Sequence, residues 1–453
     1  MTVFDQTRLT DVPFGFDKEA LRRGTYADKY FENVRRILQG MARDGATYAD
    51  FDGNNPRALP IDPATLNLGD IVVEAQVFTR RKPRALIAGI DAALWMLRHG
   101  TGYYDENDAF VEMWQNLDVT AVYDGVWTEY KGDPMEVETV LEVRGRYRDF
   151  AVLETTLLGV LSRASRIATN VYNLHEATNG KPLLFFPARF DLPAVQAADG
   201  YAYWLAVQRL KHDTGLDLRP FVSTDAQGLW WGGKGGGTVP HAIVASFLAD
   251  TVAAMKAFAK YIPAGVPRIV LADFNNDSVT TAVDTLTAYW HNYVKALEAG
   301  DENAQTRWTL NGVRLDTGGT LVDRALQPDG KTGVNEDLVW AVRHALDGAW
   351  QAWDVPERLK ETAQTYCKQV GITVSGGFNY EKISRFEENG VPVASYGVGS
   401  SLFSNESSLG TNTDFTMDVV RVQLDGEWVP IAKVGRQPCD NDDLRPVDLS
   451  IFS

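Results

Sequence analysis

Cysteine is nearly absent. Cys367 and Cys439 are the only two in 453 residues, which excludes a disulfide framework and a cysteine-based zinc site and suggests a reducing compartment. Long apolar runs are missing too, since no segment approaches the ~20 uninterrupted apolar residues that span a bilayer. Ala242–Phe258 comes nearest, and Asp250 and Lys256 interrupt it at amphipathic spacing. The opening Met-Thr-Val-Phe-Asp-Gln-Thr-Arg lacks the basic-then-apolar pattern of a secretory leader. Positive charge is scarce: 44 Lys and Arg face 60 Asp and Glu, a formal net charge of −16. Such a surface repels nucleic acid and anionic membranes, and an anionic substrate must be captured by local arginines and backbone amides. Low-complexity tracts, long linkers and internal repeats are also lacking. The expectation is a cytoplasmic protein without a nucleic-acid or membrane partner.

Apolar residues make up 45% of the chain and aromatics 11%, enough for a sizeable interior, and the length suits two or three domains. Residues 1–150 mix helix and strand irregularly. Asp28–Gly40 reads as an amphipathic helix with Tyr30, Phe31, Val34, Ile37 and Leu38 on one side, Ile71–Thr79 as a strand, and Ile87–Arg98 as a helix. Val119–Tyr130 and Met135–Val143 are strand-rich. A long helical pattern runs from about Leu153 to His175. From Pro182 the pattern becomes strand, turn, helix, with strands at Leu183–Phe186, Leu218–Ser223, Ile269–Asp273, Gly312–Asp316, Ile372–Ser375 and Val393–Tyr396. Helices at Ala242–Tyr261, Ser278–Leu297 and Asp337–Trp350 separate most of them, which implies parallel βαβ units. The fold class expected is α/β: an irregular, incomplete α/β barrel over residues 151–410 beside a mixed α+β N-terminal domain. The short strands Phe415–Gln423 and Trp428–Lys433 belong to a C-terminal stretch, 411–453, that should return to the N-terminal domain.

Several strand ends carry the residues of chemical interest. In an α/β barrel, catalytic groups occupy the carboxyl ends of different strands, and Gly-rich turns that enter helices offer amides to oxyanions. Ser375-Gly376-Gly377 leads into a helix beginning near Asn379, and Tyr396-Gly397-Val-Gly399 is a second such turn. Ordinary tight turns are the plain alternative. Arg314-Leu-Asp316 puts two charges on one face of a strand end, where Arg314 can hold a phosphate and Asp316 ribose hydroxyls or Mg²⁺, or the two simply form a salt bridge. His241, after a Gly-rich loop, can act as a base or accept a phosphoryl group. Phe186-Pro-Ala-Arg189 can stack on a flat ring and pair with its carboxylate, or Phe186 packs in the core. Gly232-Gly-Lys234-Gly-Gly-Gly-Thr238 fails as a Walker A loop because Gly follows Lys234; a mobile flap edged by Trp230 and Trp231 is expected instead. Arg80-Arg81-Lys82-Pro-Arg84 reads as a solvated turn or a pyrophosphate contact.

Taken in order, these segments resemble the nicotinate phosphoribosyltransferase family, within the type II phosphoribosyltransferases, across most of the chain. Tyr26-Ala-Asp28-Lys-Tyr30 looks like its Asp-x-Tyr element, and Glu154-Thr-Thr-Leu-Leu-Gly159 its long connecting helix. Phe186-Pro-Ala-Arg189 matches Phe-x-x-Arg, Gly237-Thr-Val-Pro-His241 matches Gly-Thr-x-x-His, and Arg314-Leu-Asp316-Thr-Gly318 matches Arg-x-Asp-Ser/Thr-Gly. The resemblance implies a homodimer with a shared active site that transfers phosphoribose from phosphoribosyl pyrophosphate to nicotinate with Mg²⁺. It also implies ATP as co-substrate through a transiently phosphorylated His241, and no zinc. By the same analogy Phe186 and the second subunit's Tyr30 sandwich the pyridine, Arg189 meets its carboxylate, and Arg314 and Asp316 hold phosphate and ribose. Ser375, Gly376, Gly377, Gly397 and Gly399 bind the 5′-phosphate, with Asp273 and Asp316 as the Mg²⁺ carboxylates. Asp225 sits where an aspartate favours nicotinamide in relatives. Gly319 and Asp273-Phe-Asn-Asn-Asp277 depart from the usual pattern.

Nicotinamide and quinolinate are the nearest alternative substrates. A barrel glycosidase would need paired carboxylates at strand ends, where Gly, Arg and His stand instead. A non-catalytic binder of NAD precursors would have no use for His241, Arg314 and Asp316 together.

Overall fold

In the computed structural model, residues 7–12, 14–53, 57–237 and 239–452 are described. The chain divides into two compact units. The first takes the chain up to Val171, Ala197–Arg209, and everything from Phe403 onward; the second takes Tyr172–Gln196 and Leu210–Leu402. The divisions fall inside the helices Glu154–Ala177 and Gln196–Thr214 and the short helix Ser400–Phe403, not at the 150/151 and 410/411 positions expected.

The first unit is built on a six-stranded antiparallel sheet. Its order is Glu427–Pro430, Phe415–Leu424, Val72–Thr79, Leu141–Arg146, Asp118–Ala121, Arg445–Pro446. The C-terminal strands do complete the N-terminal sheet, and Phe415–Leu424 lies beside the central Val72–Thr79. Ala75, Val77, Phe78, Leu141 and Val143 are fully or almost fully buried there, with Leu157, Leu161 and Val171 of the long helix also buried.

The helix expected at Asp28–Gly40 runs Lys29–Asp44, but its apolar stripe differs from the expectation. Phe31 and Glu32 are buried while Tyr30 and Ile37 are each 60% exposed. Glu32 can take an inward position because Lys29 and Arg36 both donate to its carboxylate. Tyr30, one residue from Phe31 and so turned ~100° from it, faces solvent.

The second unit holds six parallel strands: β1 (Leu183–Phe185), β2 (Phe221–Val222), β3 (Ile269–Leu271), β4 (Gly312–Leu315), β5 (Gly371–Val374) and β6 (Ser395–Val398). Their order is β3-β4-β5-β6-β1-β2. Among the described residues β3 and β2 do not pair with each other, so the barrel stays incomplete. Val270, Val313, Leu315, Ile372, Val374 and Val398 are all within 1% of full burial, as strands covered on both faces require. The residues that follow the strands are Phe186, Ser223, Ala272, Asp316, Ser375 and Gly399.

Two sequence readings change here. Ala242–Tyr261 is not one helix but two, α1 (His241–Ser246) and α2 (Thr251–Tyr261). Leu248 at φ 56° and Ala249 at φ 68° turn the chain between them, and non-glycine residues give no warning of a left-handed stop. The Gly232–Gly237 run is tied down, not a free flap. Gly233 N–H donates to Gly228 O, Gly236 N–H to Val222 O, and Trp231 Nε1 to Gln227 O, while Trp230 is buried. Thr238 lies outside the described residues. Arg81, in the basic cluster, is buried and donates to Thr411 O, Thr413 Oγ1 and Asn170 Oδ1.

Candidate active site

Most of the candidate side chains meet at the carboxyl ends of β3, β4, β5, β6 and β1. Arg314 lies on β4 and Asp316 just beyond it, on the same face, and Arg314 Nη2 donates to Asp316 Oδ2 at 2.9 Å. Ser375, the first residue past β5, closes a triangle: Arg314 Nε donates to its Oγ at 3.0 Å, and that hydroxyl donates to Asp316 Oδ1 at 2.8 Å. The two charges are therefore held ready by each other and by one hydroxyl. Arg314 and Asp316 each keep about a fifth of their side-chain surface open, 24% and 21%.

Gly376 follows with φ 85°, and a Cβ there would stand 3.2 Å from Asp316 Oδ1. Only glycine combines that backbone with that approach. Gly377, at φ 68°, opens onto empty space. Asn379 then caps the helix α3 (Tyr380–Glu388), its Oδ1 accepting from Lys382 N. On the next strand, Gly397 lets the Phe186 ring pack across it: a Cβ would lie 2.7 Å from Phe186 Cε2 and 3.2 Å from Ser375 Cβ. Phe186 extends β1 by donating its N–H to Val398 O, and its ring sits 5.6 Å from the Arg314 guanidinium carbon. Gly399 touches Phe190 instead, whose ring would be 2.6 Å from a Cβ there.

His241 opens α1, and its Nε2 stands 3.0 Å from Asp273 Oδ2 at the end of β3. The histidine side chain is 45% exposed and the aspartate 8%. Burial raises the Asp273 carboxyl above its usual range, His241 pulls it back down, and the Asp316 charge pushes it up again. Asp273 Oδ1 is buried without a hydrogen-bond partner. Taken with the Asp316 charge acting on it, this orphan oxygen fits a cation shared with a ligand. Among the described residues no group of three or more His, Cys, Asp or Glu is placed to hold a metal ion by itself.

Three candidates stand apart from this cluster. Arg189 is exposed on the short helix Pro187–Phe190 and stacks over Phe190 at 5.4 Å. Asp225 is exposed, and its Oδ1 accepts from Gly235 N at 2.9 Å, which binds it to the Gly-rich run. Tyr30 belongs to the first unit, where its hydroxyl donates to Asp28 Oδ2 at 3.2 Å and Thr155 Oγ1 donates to the same oxygen. Residue-by-residue reading missed two aromatics. Phe221 meets Phe186 edge-on with ring centroids 6.1 Å apart, and Phe274 lies 6.3 Å from the His241 ring. Both stand at or beside a strand end, the signal that singled out their neighbours.

Residues 62–165 match the family described as quinolinate phosphoribosyl transferase, N-terminal domain. Over its whole length the protein is similar to the nicotinate-nucleotide pyrophosphorylase from Pyrococcus furiosus, at 25% identity and a TM-score of 0.61, covering 96% of this chain and 82% of that one. These likenesses support placing the chain with the type II phosphoribosyltransferases. Human nicotinic acid phosphoribosyltransferase, 17% identical with a TM-score of 0.50 over 87% of this chain and 74% of that one, shares the fold. The family likeness supports a transferase of NAD biosynthesis. No helix among the described residues is long and apolar enough to cross a membrane.

Two outcomes follow. Burial first, then the Asp418 charge, pushes the Glu154 carboxyl up to about 8, with the Tyr147 hydroxyl donating to it and Asp28 nearby. The folded protein thus keeps a proton that the unfolded chain releases near pH ~4, so this group withdraws stability progressively as pH climbs from there to its folded value. Glu154→Gln should flatten urea-denaturation stability across that window, and its advantage over the parent should grow with pH; parallel curves would contradict the assignment. Gly397→Ala should destabilise the protein by ~1–3 kcal/mol by overpacking the Phe186 ring, read as a lower urea midpoint. An unchanged midpoint would mean that the ring does not need the glycine.

Proposed function

We propose that the protein is a nicotinate phosphoribosyltransferase, forming nicotinate mononucleotide from nicotinate and phosphoribosyl pyrophosphate in cytoplasmic NAD salvage. The observation that carries this reading is the half-exposed His241 held by the buried Asp273 beside the Arg314–Ser375–Asp316 triangle. With its Nε2–H donated to Asp273, the imidazole presents Nδ1 as the lone-pair nitrogen. That nitrogen attacks the γ-phosphorus of ATP, the P–O bond to ADP breaks, and water later cleaves the N–P bond.

In the transfer step the pyridine nitrogen bonds to the ribose C1 as the C1–O bond to pyrophosphate breaks. Positive charge grows at C1 and negative charge leaves with pyrophosphate. Arg314 pairs with a phosphate, Asp316 accepts from ribose hydroxyls, and the turns at Ser375–Gly377 and Gly397–Gly399 give their amides to the 5′-phosphate. Asp273 and Asp316 would hold a bound Mg²⁺, which would supply positive charge to the departing pyrophosphate. Phe186 stacks on the pyridine, with Phe221 against its edge, and Arg189 answers the nicotinate carboxylate. The exposed Tyr30 supplies the opposite stacking face to the second subunit of a homodimer. Asp225 is the residue that opposes a carboxylated substrate, so nicotinamide is the runner-up and quinolinate the third.

Purified protein with Mg²⁺ and phosphoribosyl pyrophosphate should release pyrophosphate with nicotinate, faster when ATP is present and faster than with nicotinamide or quinolinate. His241→Ala should abolish the ATP stimulation and leave a slow basal rate. Arg314→Ala should cost about a hundredfold or more in kcat/KM. No turnover with any of the three pyridines refutes the reading.

A further inference from the structure

We propose that Asn275 is a positioning residue for the His241 imidazole, acting through the strained turn that ends α1. The three residues that follow Ala272 meet the two ends of this helical segment. Asp273 Oδ2 receives His241 Nε2 at 3.0 Å, the Phe274 ring lies 6.3 Å from the imidazole, and Asn275 Nδ2 donates to Ala249 O at 3.0 Å. The helix His241–Ser246 has six residues, too few to persist without support from outside.

Its far end needs that support. Ala249 N–H donates to Val244 O and Leu248 N–H to Ala245 O, both at 3.0 Å, the paired bonds of a Schellman stop. The left-handed position of that motif normally takes glycine, whereas here Leu248 has φ 56° and Ala249 φ 68°. L side chains disfavour this conformation, and Leu248, 93% exposed, gains no packing in return. The Asn275 bond to Ala249 O holds the turn in place.

The bracket is itself anchored. Asn276 N–H donates to Asp273 O, Asn276 Nδ2 to Val322 O, and Arg324 N–H to Asn276 O. One rigid loop thus fixes α1 at its catalytic start and at its strained finish. If the finish relaxes, the helix can rotate or fray, and the imidazole leaves Asp273. The bearing of this on turnover rests on the role given to His241 above; the geometry does not.

The test uses full-length protein carrying 13C-labelled histidine at a single pH, with the His241 signal assigned by its loss in His241→Gln. In Asn275→Ala the His241 ring signal should shift toward that of a free imidazole as the Phe274 ring current is lost. Amides of Ile243–Phe247 should exchange about tenfold faster, while those of Ser278–Glu298 stay protected. Adding Ala249→Gly, which accepts the left-handed turn unaided, should restore both signals. The positioning role is overturned if Asn275→Ala leaves the His241 signal and α1 exchange unchanged, or if Ala249→Gly fails to restore them. The expected pattern supports the role even in a protein that turns over none of the three pyridines, so the two readings fail separately.

Discussion

The pairing of Leu315 with Val374 governs the site. These are the last partners of two adjacent parallel strands, so Asp316 and Ser375 emerge side by side and the serine hydroxyl reaches both Asp316 and Arg314. A slip of one residue would send Arg314 and Asp316 to the opposite face and dissolve the triangle. Burial of Val313, Leu315, Ile372 and Val374 forbids that slip, because it would require apolar and charged residues to exchange places. The same logic places Phe186: Val398 pairs with Phe185, and the next residue swings its ring over Gly397. The hydrophobic interior therefore sets the positions of polar groups it never touches.

The electrostatics run against the protein as a whole. A chain with a net charge of −16 gathers Arg314, two carboxylates and an imidazole at one sheet edge, and keeps one of the carboxylates largely out of water. Asp273 is costly there, and it leaves one oxygen unpaired. Its bond to His241 meets part of that cost and fixes the ring orientation. The remaining demand for positive charge at Oδ1 is the kind of deficit that a ligand-borne cation offsets.

Much of this was legible in the chain. Strand ends announced themselves because the polar and glycine residues that follow a buried parallel strand are also those that gather at the candidate site: Asp273, Asp316, and Ser375 with Gly376. Return of the C-terminal strands to the N-terminal sheet was legible from their short alternating pattern. What escaped detection depends on tertiary context. Leu248 and Ala249 adopt a backbone that their side chains argue against, so one helix was expected where two exist. Tyr30 and Ile37 have the right spacing for a buried stripe, but a doubly paired Glu32 occupies the inward side. The Gly232–Gly237 run has a flexible composition and is held by bonds to Gly228, Val222 and Asp225, none of which composition reveals. Asp225 and Arg189 were found by motif; Asp225 is tied to Gly235 and Arg189 stacks over Phe190, so neither joins the Arg314–Ser375–Asp316 triangle.

The sheet of the first unit has a temporal consequence. Its central strand, Val72–Thr79, leaves the ribosome long before one of its two neighbours, Phe415–Leu424, is made. Until then Val72–Thr79 has one edge bare, with a row of backbone donors and acceptors open to any passing extended chain. The nascent polypeptide must therefore shield that edge until Phe415–Leu424 arrives, and a chain cut short before Phe415 would be wounded far upstream, at Val72–Thr79.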